Sequence, residues 1–174
     1  MRYWAILFAA GTFLACQSGA KELESQKTTL EALELQLLTA EEVNVNPEVA
    51  VQFLEKSQAF ADAFPKDSLA PSYLFKSAEV ARSIREFGLA IRLSGRVWRE
   101  YPLYPKAPDA MFLQGFIYDT DLGDTLNARS YYEQFLAKYP EHPFAPNVTQ
   151  LLSVVGKDPE ALIREFETEG QKTE

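Results

Sequence analysis

A short motif recurs three times along the chain and organises its hydrophobic pattern. Each copy is an aromatic residue, a proline, four variable residues and Ala-Pro, and the copies occupy residues 64–71, 101–108 and 139–146. Successive copies are offset by 37 and then 38 residues. A fixed period of about 20–50 residues is typical of repeat architectures. The recurrence therefore predicts a repeat protein.

Between the motifs, apolar and small residues return at the spacing of an α-helix. Leu74, Ala78 and Ala81, for example, share one helical face. The first proline of each motif ends a helix because it lacks a donor and clashes with the preceding turn, whereas the second proline fits a first helical turn. No segment alternates like a strand, so we expect an all-α solenoid of about three to four helical hairpins. The predicted pairs span residues 22–64, 71–102, 108–140 and, shortened, 146–168.

Two polar signals predict helix starts in the N-terminal half. Thr28 and Glu31 have the spacing of a capping box, in which a hydroxyl accepts from an amide one turn later. Asn46 precedes Pro47, a combination typical of an N-cap followed by proline in the first turn. We therefore expect one helix to begin near Thr28 and another at Pro47.

The first sixteen residues indicate a targeting segment. Arg2 gives a positive start, residues 3–14 carry no charge, and Ala15-Cys16 closes the run. This order describes a secretory signal, whose apolar run is too short to span about 30 Å of hydrocarbon. The ending resembles the lipobox of bacterial lipoproteins, which implies acylation of Cys16 after removal of residues 1–15. The alternative is a plain signal peptide with a chance cysteine.

These features divide the chain into four predicted segments. They are a signal peptide at 1–15, a tether at 16–21, a helical repeat domain at 22–168 and a polar tail at 169–174.

The repeat that ends at Pro140 has the richest pattern. Its characteristic residues are Ala110 to Tyr118, Leu122-Gly123-Asp124, Ala128, Tyr132, Phe135 and Tyr139-Pro140. This unit resembles a tetratricopeptide repeat and, more narrowly, the repeats of the BamD and YbgF/CpoB envelope families, the latter associated with the Tol-Pal system. Relative to the family pattern, one residue is inserted before Leu122.

The resemblance implies that certain small, aromatic and proline residues hold fixed structural places in the repeat. These positions are Ala78, Ala90, Pro102, Gly115, Tyr118, Ala128 and Pro140. We expect Gly115 to let its helix approach Ala128 closely. A single hairpin cannot bury its apolar face alone, so about three repeats are needed for stability.

The resemblance also implies where a partner binds, because in such folds the first helix of each pair lines a concave groove. The groove positions are Phe75, Glu79, Arg82, Asp109, Phe112, Phe116, Asp119, Asn147 and Gln150. Phe112 and Phe116 lie four residues apart on one face and could contact a peptide. The alternative is that these phenylalanines pack against the terminal helices, since small solenoids need caps.

The charge distribution narrows the choice of partner. The net charge is −8 and the pI about 4.8, which argues against nucleic acid. Between Lys76 and Lys106, however, seven cations stand against three acids. Arg92, Arg96 and Arg99 recur on one helical face and could meet an acidic partner or lipid headgroups. The alternative is a solvated face with local ion pairs.

The sequence offers little for catalysis or cofactor binding. It has one cysteine and one histidine (His142, to which we assign no role), no glycine-rich phosphate loop and no nucleophile motif. We therefore expect neither an enzyme nor a metal or cofactor site. The expected function is an outer-membrane, periplasm-facing lipoprotein scaffold that binds a peptide or protein of the envelope, in outer-membrane assembly or Tol-Pal-like machinery. The alternative is a structural protein that self-associates as a homo-oligomer.

Overall fold

In the computed structural model, the described residues are 6–39, 46–158, 160, 163 and 164, with side chains described from residue 19 onward. Over these residues the chain forms α-helices and one π-helical turn, and no strand. The elements are α1 (Ile6–Thr39), α2 (Pro47–Ala63), α3 (Ala70–Ser83), α4 (Phe87–Glu100), α5 (Ala107–Phe116), the π-turn (Ile117–Asp121), α6 (Thr125–Lys138) and α7 (Ala145–Val154). The predicted all-α, helical-hairpin repeat fold is confirmed. None of the described helices is both long and apolar enough to cross a membrane.

The recurring motif forms the same loop three times. We call residues 64–70, 101–107 and 139–145 the repeat loops. The aromatic residue of each loop ends a helix with a φ of −128°, −127° and −132°, respectively. In every loop the amide of the fourth residue donates to the carbonyl of the aromatic residue at 2.9–3.1 Å, and the alanine amide donates to the carbonyl of the fourth residue at 2.8–3.1 Å. The prolines therefore set the helix boundaries as the sequence predicted.

The chain divides into two compact units, residues 1–84 and 85–174. In unit 1, α2 packs against both α1 and α3. Phe60 is fully buried there and meets the ring of Tyr73 edge-on at 5.2 Å. Aromatic contacts of this kind add to the free energy that burial alone contributes. Leu30 of α1 is also buried, so the described C-terminal half of α1 belongs to this core.

A charged contact ties the first repeat loop to α1. The carboxylate of Asp67 lies 2.8 Å from Nζ of Lys27 and also accepts a hydrogen bond from the amide of Leu69 at 2.9 Å. Burial alone would raise the pKa of Asp67, but the Lys27 and Leu69 contacts outweigh it and lower that pKa. The loop is thereby fixed to the first helix of its own unit.

In unit 2, α5 packs between α4 and α6, and α6 also packs against α7. The core contains Met111, Tyr132, Phe135 and Val148, each at most 1% exposed. A polar bridge supports this packing, because Trp98 donates from Nε1 to Oε1 of the buried Gln114 at 2.9 Å. Gln114 in turn donates from Nε2 to a carbonyl oxygen of α4 at 3.1 Å. Buried polar groups are normally paired in this way.

The π-turn accommodates the inserted residue. The amide of Leu122 donates to the carbonyl of Ile117 five residues earlier, at 3.1 Å, instead of the usual four. Gly123 follows with a φ of +65°, a conformation that costs glycine little and side-chain-bearing residues more. The sequence had located the extra residue but not the form that it takes.

Two local predictions concern helix starts. Asn46 is confirmed as an N-cap, since its side chain accepts from the amide of Glu48 at 3.0 Å. The capping box at Thr28 is wrong, because α1 runs through this residue and its hydroxyl donates to the carbonyl of Glu24 at 3.0 Å. A hydroxyl that bonds back to the preceding turn is typical of a helix interior.

Some predicted boundaries fall wholly or partly outside the described residues. Residues 16–21, predicted as a tether, lie within α1. The side chain of Cys16 and the predicted tail at 169–174 lie outside the described residues. The division of the chain into signal, tether, repeat domain and tail stays a prediction.

Candidate protein-interaction site

Three phenylalanines of unit 2 form a partly exposed cluster, which we call the aromatic surface: Phe112 and Phe116 of α5, and Phe144 at the start of α7. The Phe112 ring centroid lies 5.6 Å from that of Phe116 and 5.4 Å from that of Phe144. Phe112 and Phe116 are half-buried, and Phe144 is 40% exposed. Beneath them, Phe112 also contacts Tyr132 and Phe135, with centroids 6.3 Å away in both cases. The surface is therefore a continuation of the core that reaches solvent.

His142 positions Phe144. Its Nδ1 accepts a hydrogen bond from the Phe144 amide at 3.3 Å, and its ring meets the Phe144 ring edge-on at 5.2 Å. Its Nε2 lies 3.5 Å from a carboxylate oxygen of Asp109 on α5. His142 thus links the third repeat loop to the first helix of that repeat, as Asp67 does in unit 1. The sequence assigned it no role because loop contacts of this kind depend on backbone geometry.

Exposed amides lie beside the aromatic surface on α7. Asn147 and Gln150 are both exposed and stand three residues apart, on neighbouring turns. Asn147 is also three residues from Phe144, a spacing that places the two residues on the same side of the start of α7. These side chains can donate and accept hydrogen bonds at the edge of an apolar contact, which is a common composition for a peptide-binding surface.

Gly115 of α5 has no side chain and so leaves space for two tyrosine side chains of α6. A methyl group there would lie 3.0 Å from Cβ of Tyr131 and 3.1 Å from Cε1 of Tyr132. Close approach to α6 is therefore as predicted, but its nearest atoms belong to these tyrosines rather than to Ala128. The bulk of two rings explains why glycine is needed.

Asp119 serves the repeat itself. Its carboxylate accepts a hydrogen bond from the hydroxyl of Tyr132 at 2.9 Å. Burial raises the pKa of Tyr132, and the bond to Asp119 and the Asp119 charge raise it further. Asp119 is thus engaged in holding the π-turn against α6, although the sequence placed it among the groove residues.

The remaining groove positions lie in unit 1. Glu79 is exposed and Arg82 is half-buried. Phe75 requires a correction, because it is only 6% exposed and its ring belongs to the core rather than to an accessible surface. The reason is that α3 buries eight of its fourteen residues, more than a helix with one free face would.

The predicted structural positions behave as small or terminal residues should. Ala78, Ala90 and Ala128 are fully buried. Pro102 and Pro140 are exposed, and each follows directly on the residue that caps α4 or α6. Tyr118 is half-buried and stacks on the ring of Tyr131 at 5.5 Å.

Sequence comparison bears on the same part of the chain. Residues 109–142 match the family model described as a tetratricopeptide repeat. The matched segment covers α5 from Asp109 onward, the π-turn and α6, and it ends at His142. No curated protein and no solved structure is significantly similar to the chain.

The tetratricopeptide repeat indicates binding to proteins. It brings Asp109, Phe112 and Phe116 together with His142, and α7 adds Phe144 and the two amides. Such an arrangement can take up an apolar side chain and pair with a peptide backbone. Among the described residues, no group of histidines, cysteines and acids could hold a metal ion.

Proposed function

We propose that this protein is a lipid-anchored scaffold of the cell envelope, without catalytic activity, that binds a protein partner on the aromatic surface formed by its tetratricopeptide repeat together with Phe144. The observation that carries the proposal is the partly exposed Phe144 ring, which contacts Phe112 at a tilt of 57° and lies three residues before the exposed Asn147. Exposed aromatic rings backed by a packed core are typical anchors of protein interfaces.

The expected contribution of this ring to binding is moderate. Fully burying a phenylalanine stabilises by about 1.5–3 kcal/mol, so covering the exposed 40% of Phe144 contributes on the order of 1 kcal/mol. Because His142 already fixes the Phe144 backbone, little conformational entropy is lost when a partner covers the ring. Phe112, Phe116 and the rim must supply the remainder.

The anchor and the location are proposed from the N-terminal sequence. Acylation at Cys16 would hold the protein to a membrane, because each buried methylene contributes about 0.8 kcal/mol. The absence of Asp at residue 17 favours the outer membrane, facing the periplasm. Resemblance to BamD and YbgF/CpoB repeats favours a partner in outer-membrane assembly or in Tol-Pal-like machinery.

Site-specific photo-crosslinking tests the interaction surface. A photoreactive amino acid at Asn147 or Gln150 should capture a discrete partner in living cells, whereas the same residue at Gln134, also exposed but on α6, should not. Adding Phe144→Ala should reduce capture at Asn147 several-fold. Equal capture at Asn147 and Gln134, or capture that ignores Phe144→Ala, would contradict the proposal. Capture of a second copy of this chain would instead establish self-association.

Fractionation tests the anchor separately. Cys16→Ser should release the protein from washed membranes into the soluble fraction, because the acyl chains can no longer be attached. Retention of the variant in membranes would contradict lipid anchoring while leaving the interaction surface untouched.

A further inference from the structure

Charge is unevenly distributed within unit 2. Residues 85–106, which include α4, carry five cations and two acids. Residues 107–141, which include α5 and α6, carry two cations and six acids. The basic character predicted for this part of the chain is therefore concentrated on one helix and the loop that follows it.

Three arginines of α4 form a row, which we call the arginine face: Arg92, Arg96 and Arg99. They occupy positions i, i+4 and i+7 and so lie on one side of the helix. Arg92 and Arg99 are exposed, whereas Arg96 is half-buried and pairs with Glu100 at 3.0 Å. Arginine presents a planar fork that binds a carboxylate through two hydrogen bonds.

Two glycines of α4 leave space in which arginine side chains lie against the helix. A methyl group on Gly88 would lie 3.6 Å from the guanidinium of Arg92, and one on Gly95 would collide with that of Arg99. Both guanidinium groups therefore lie back along the helix, over positions without side chains. That of Arg99 also lies 4.9 Å from the centroid of the Trp98 ring, a cation–π contact.

The equivalent helices of the other repeats show whether the fold requires arginine at these three positions. The positions equivalent to the three arginines, 37 residues earlier, are Glu55, Ala59 and Asp62 in α2. Those 38 residues later are Ser130, Gln134 and Ala137 in α6. The same place in the hairpin is therefore acidic, basic and neutral in turn, so the fold does not demand arginine there.

We propose that the arginine face is a second docking surface, which binds an acidic segment of a partner protein through Arg92 and Arg99. Helical rise places these two residues about 10 Å apart along α4, so the matching segment carries carboxylates at a similar separation. Arg96 remains paired with Glu100 and adds to the local positive potential. This surface lies on a different helix from the aromatic surface, so the present proposal does not depend on binding at the aromatic surface.

The net charge of the chain and the burial of the apolar residues of α4 favour a protein, rather than an anionic membrane, as the partner of the arginine face. The apolar residues of α4, such as Leu93 and Val97, are buried in the protein, so this helix cannot insert its apolar face into lipid. A broad anionic surface would also repel a chain of net charge −8, whereas a short acidic segment meets only the local excess of cations.

Peptide titration tests the proposal directly. The full-length chain carrying Trp4→Phe retains Trp98 as its only tryptophan, beside Arg99. The probes are two labelled helical peptides of equal length, one with glutamate at positions i and i+7 and one with glutamine there. Anisotropy gives the affinity, and Trp98 fluorescence shows that binding occurs at α4. We expect saturable binding of the glutamate peptide that weakens with salt.

Matched variants make the test decisive. Arg92→Ala with Arg99→Ala should weaken binding of the glutamate peptide by about five- to tenfold, since two exposed ion pairs are lost. Lys56→Ala with Lys66→Ala removes the same charge from exposed positions of unit 1 and should leave the affinity unchanged. Equal weakening by both pairs, or no binding, overturns the proposal. A Trp98 response to phosphatidylglycerol vesicles that depends on Arg92 and Arg99, without a response to the peptide, replaces it with membrane binding.

Discussion

Helices α3 and α5 are the first helices of successive repeats, yet they differ in the size of the residues at equivalent positions and in helix length. At equivalent positions, α3 has Ala78 and Ala81 where α5 and its π-turn have Gly115 and Tyr118. α3 is α-helical over fourteen residues, whereas α5 gives way to the π-turn after ten. In unit 1 small side chains suffice, while in unit 2 large rings are accommodated by removing a methyl group and adding a residue.

The difference shows that the helices of one repeat can gain an aromatic cluster while the backbone hydrogen bonds of the repeat loops stay the same. The repeat loops keep the same backbone hydrogen bonds in both units, whereas the helices between them differ in length and in the size of their side chains. The additional rings of unit 2 continue into the aromatic surface through Phe112 and Tyr132. Unit 2 therefore combines a packed core and a candidate binding surface in one aromatic cluster.

The largest effect should come from refilling the space at Gly115. Gly115→Val places carbon atoms against Tyr131 and the fully buried Tyr132, and we expect a loss of about 3 kcal/mol in the free energy of unfolding. The counterpart Ala78→Gly should lose only about 1 kcal/mol, mostly through helix propensity. Urea denaturation measures both. Similar losses for the two variants would show that the two helices do not differ as described.

A smaller effect should follow from removing the hydroxyl that joins α6 to the π-turn. Tyr132→Phe deletes the bond to Asp119 and should cost about 1.5 kcal/mol. The pKa of Tyr132 is raised in the folded state, so the unfolded chain loses its proton first as the pH rises above 10. The contribution is complete below pH 10 and diminishes progressively as the pH rises from there toward the raised pKa of the folded state.

Urea midpoints at pH 8 and pH 10.5 measure this dependence. The wild type should lose more stability between the two values than Tyr132→Phe does. An identical loss in both proteins would mean that Tyr132 does not contribute to the alkaline instability.

The smallest effect should come from deleting the extra residue of the π-turn. Removing the exposed Thr120 brings the Leu122 amide four residues from the Ile117 carbonyl, the ordinary α-helical separation, so the change in stability should stay within about 1 kcal/mol. Circular dichroism with thermal denaturation tests this. Deleting the exposed Ser130 from α6 is the control, because it rotates Tyr132 and Phe135 away from the core and should prevent folding. Equal damage from both deletions would contradict the interpretation of the π-turn.

The sequence predicted those features that depend on one or two neighbouring residues. Pro47 and the prolines of the repeat loops fix helix ends through a missing donor and a steric clash, which are local effects. Asn46 caps α2 for the same kind of reason. The period of the motif then predicted the repeat itself, because stacked hairpins must present equivalent faces at equal intervals.

The sequence was less informative where contacts join distant residues. Phe75 and Phe112 occupy equivalent positions, but one is buried and the other lies at a surface, and spacing alone does not distinguish them. The bridge from Trp98 through Gln114 was missed, since its partners are sixteen residues apart. The spacing of Thr28 and Glu31 does not distinguish a capping box from two residues inside a long helix, since both occur three residues apart.

The shared backbone hydrogen bonds of the repeat loops give each loop an equivalent position for engineering. The third residue of each loop, Lys66, Leu103 or Glu141, is exposed, and Leu103 is 95% so. Chemistry at this position is thus uncoupled from the hydrogen bonds that shape the loop. A cysteine introduced at any of the three would offer an attachment point for a dye or a solid support, with the surrounding scaffold left as it is.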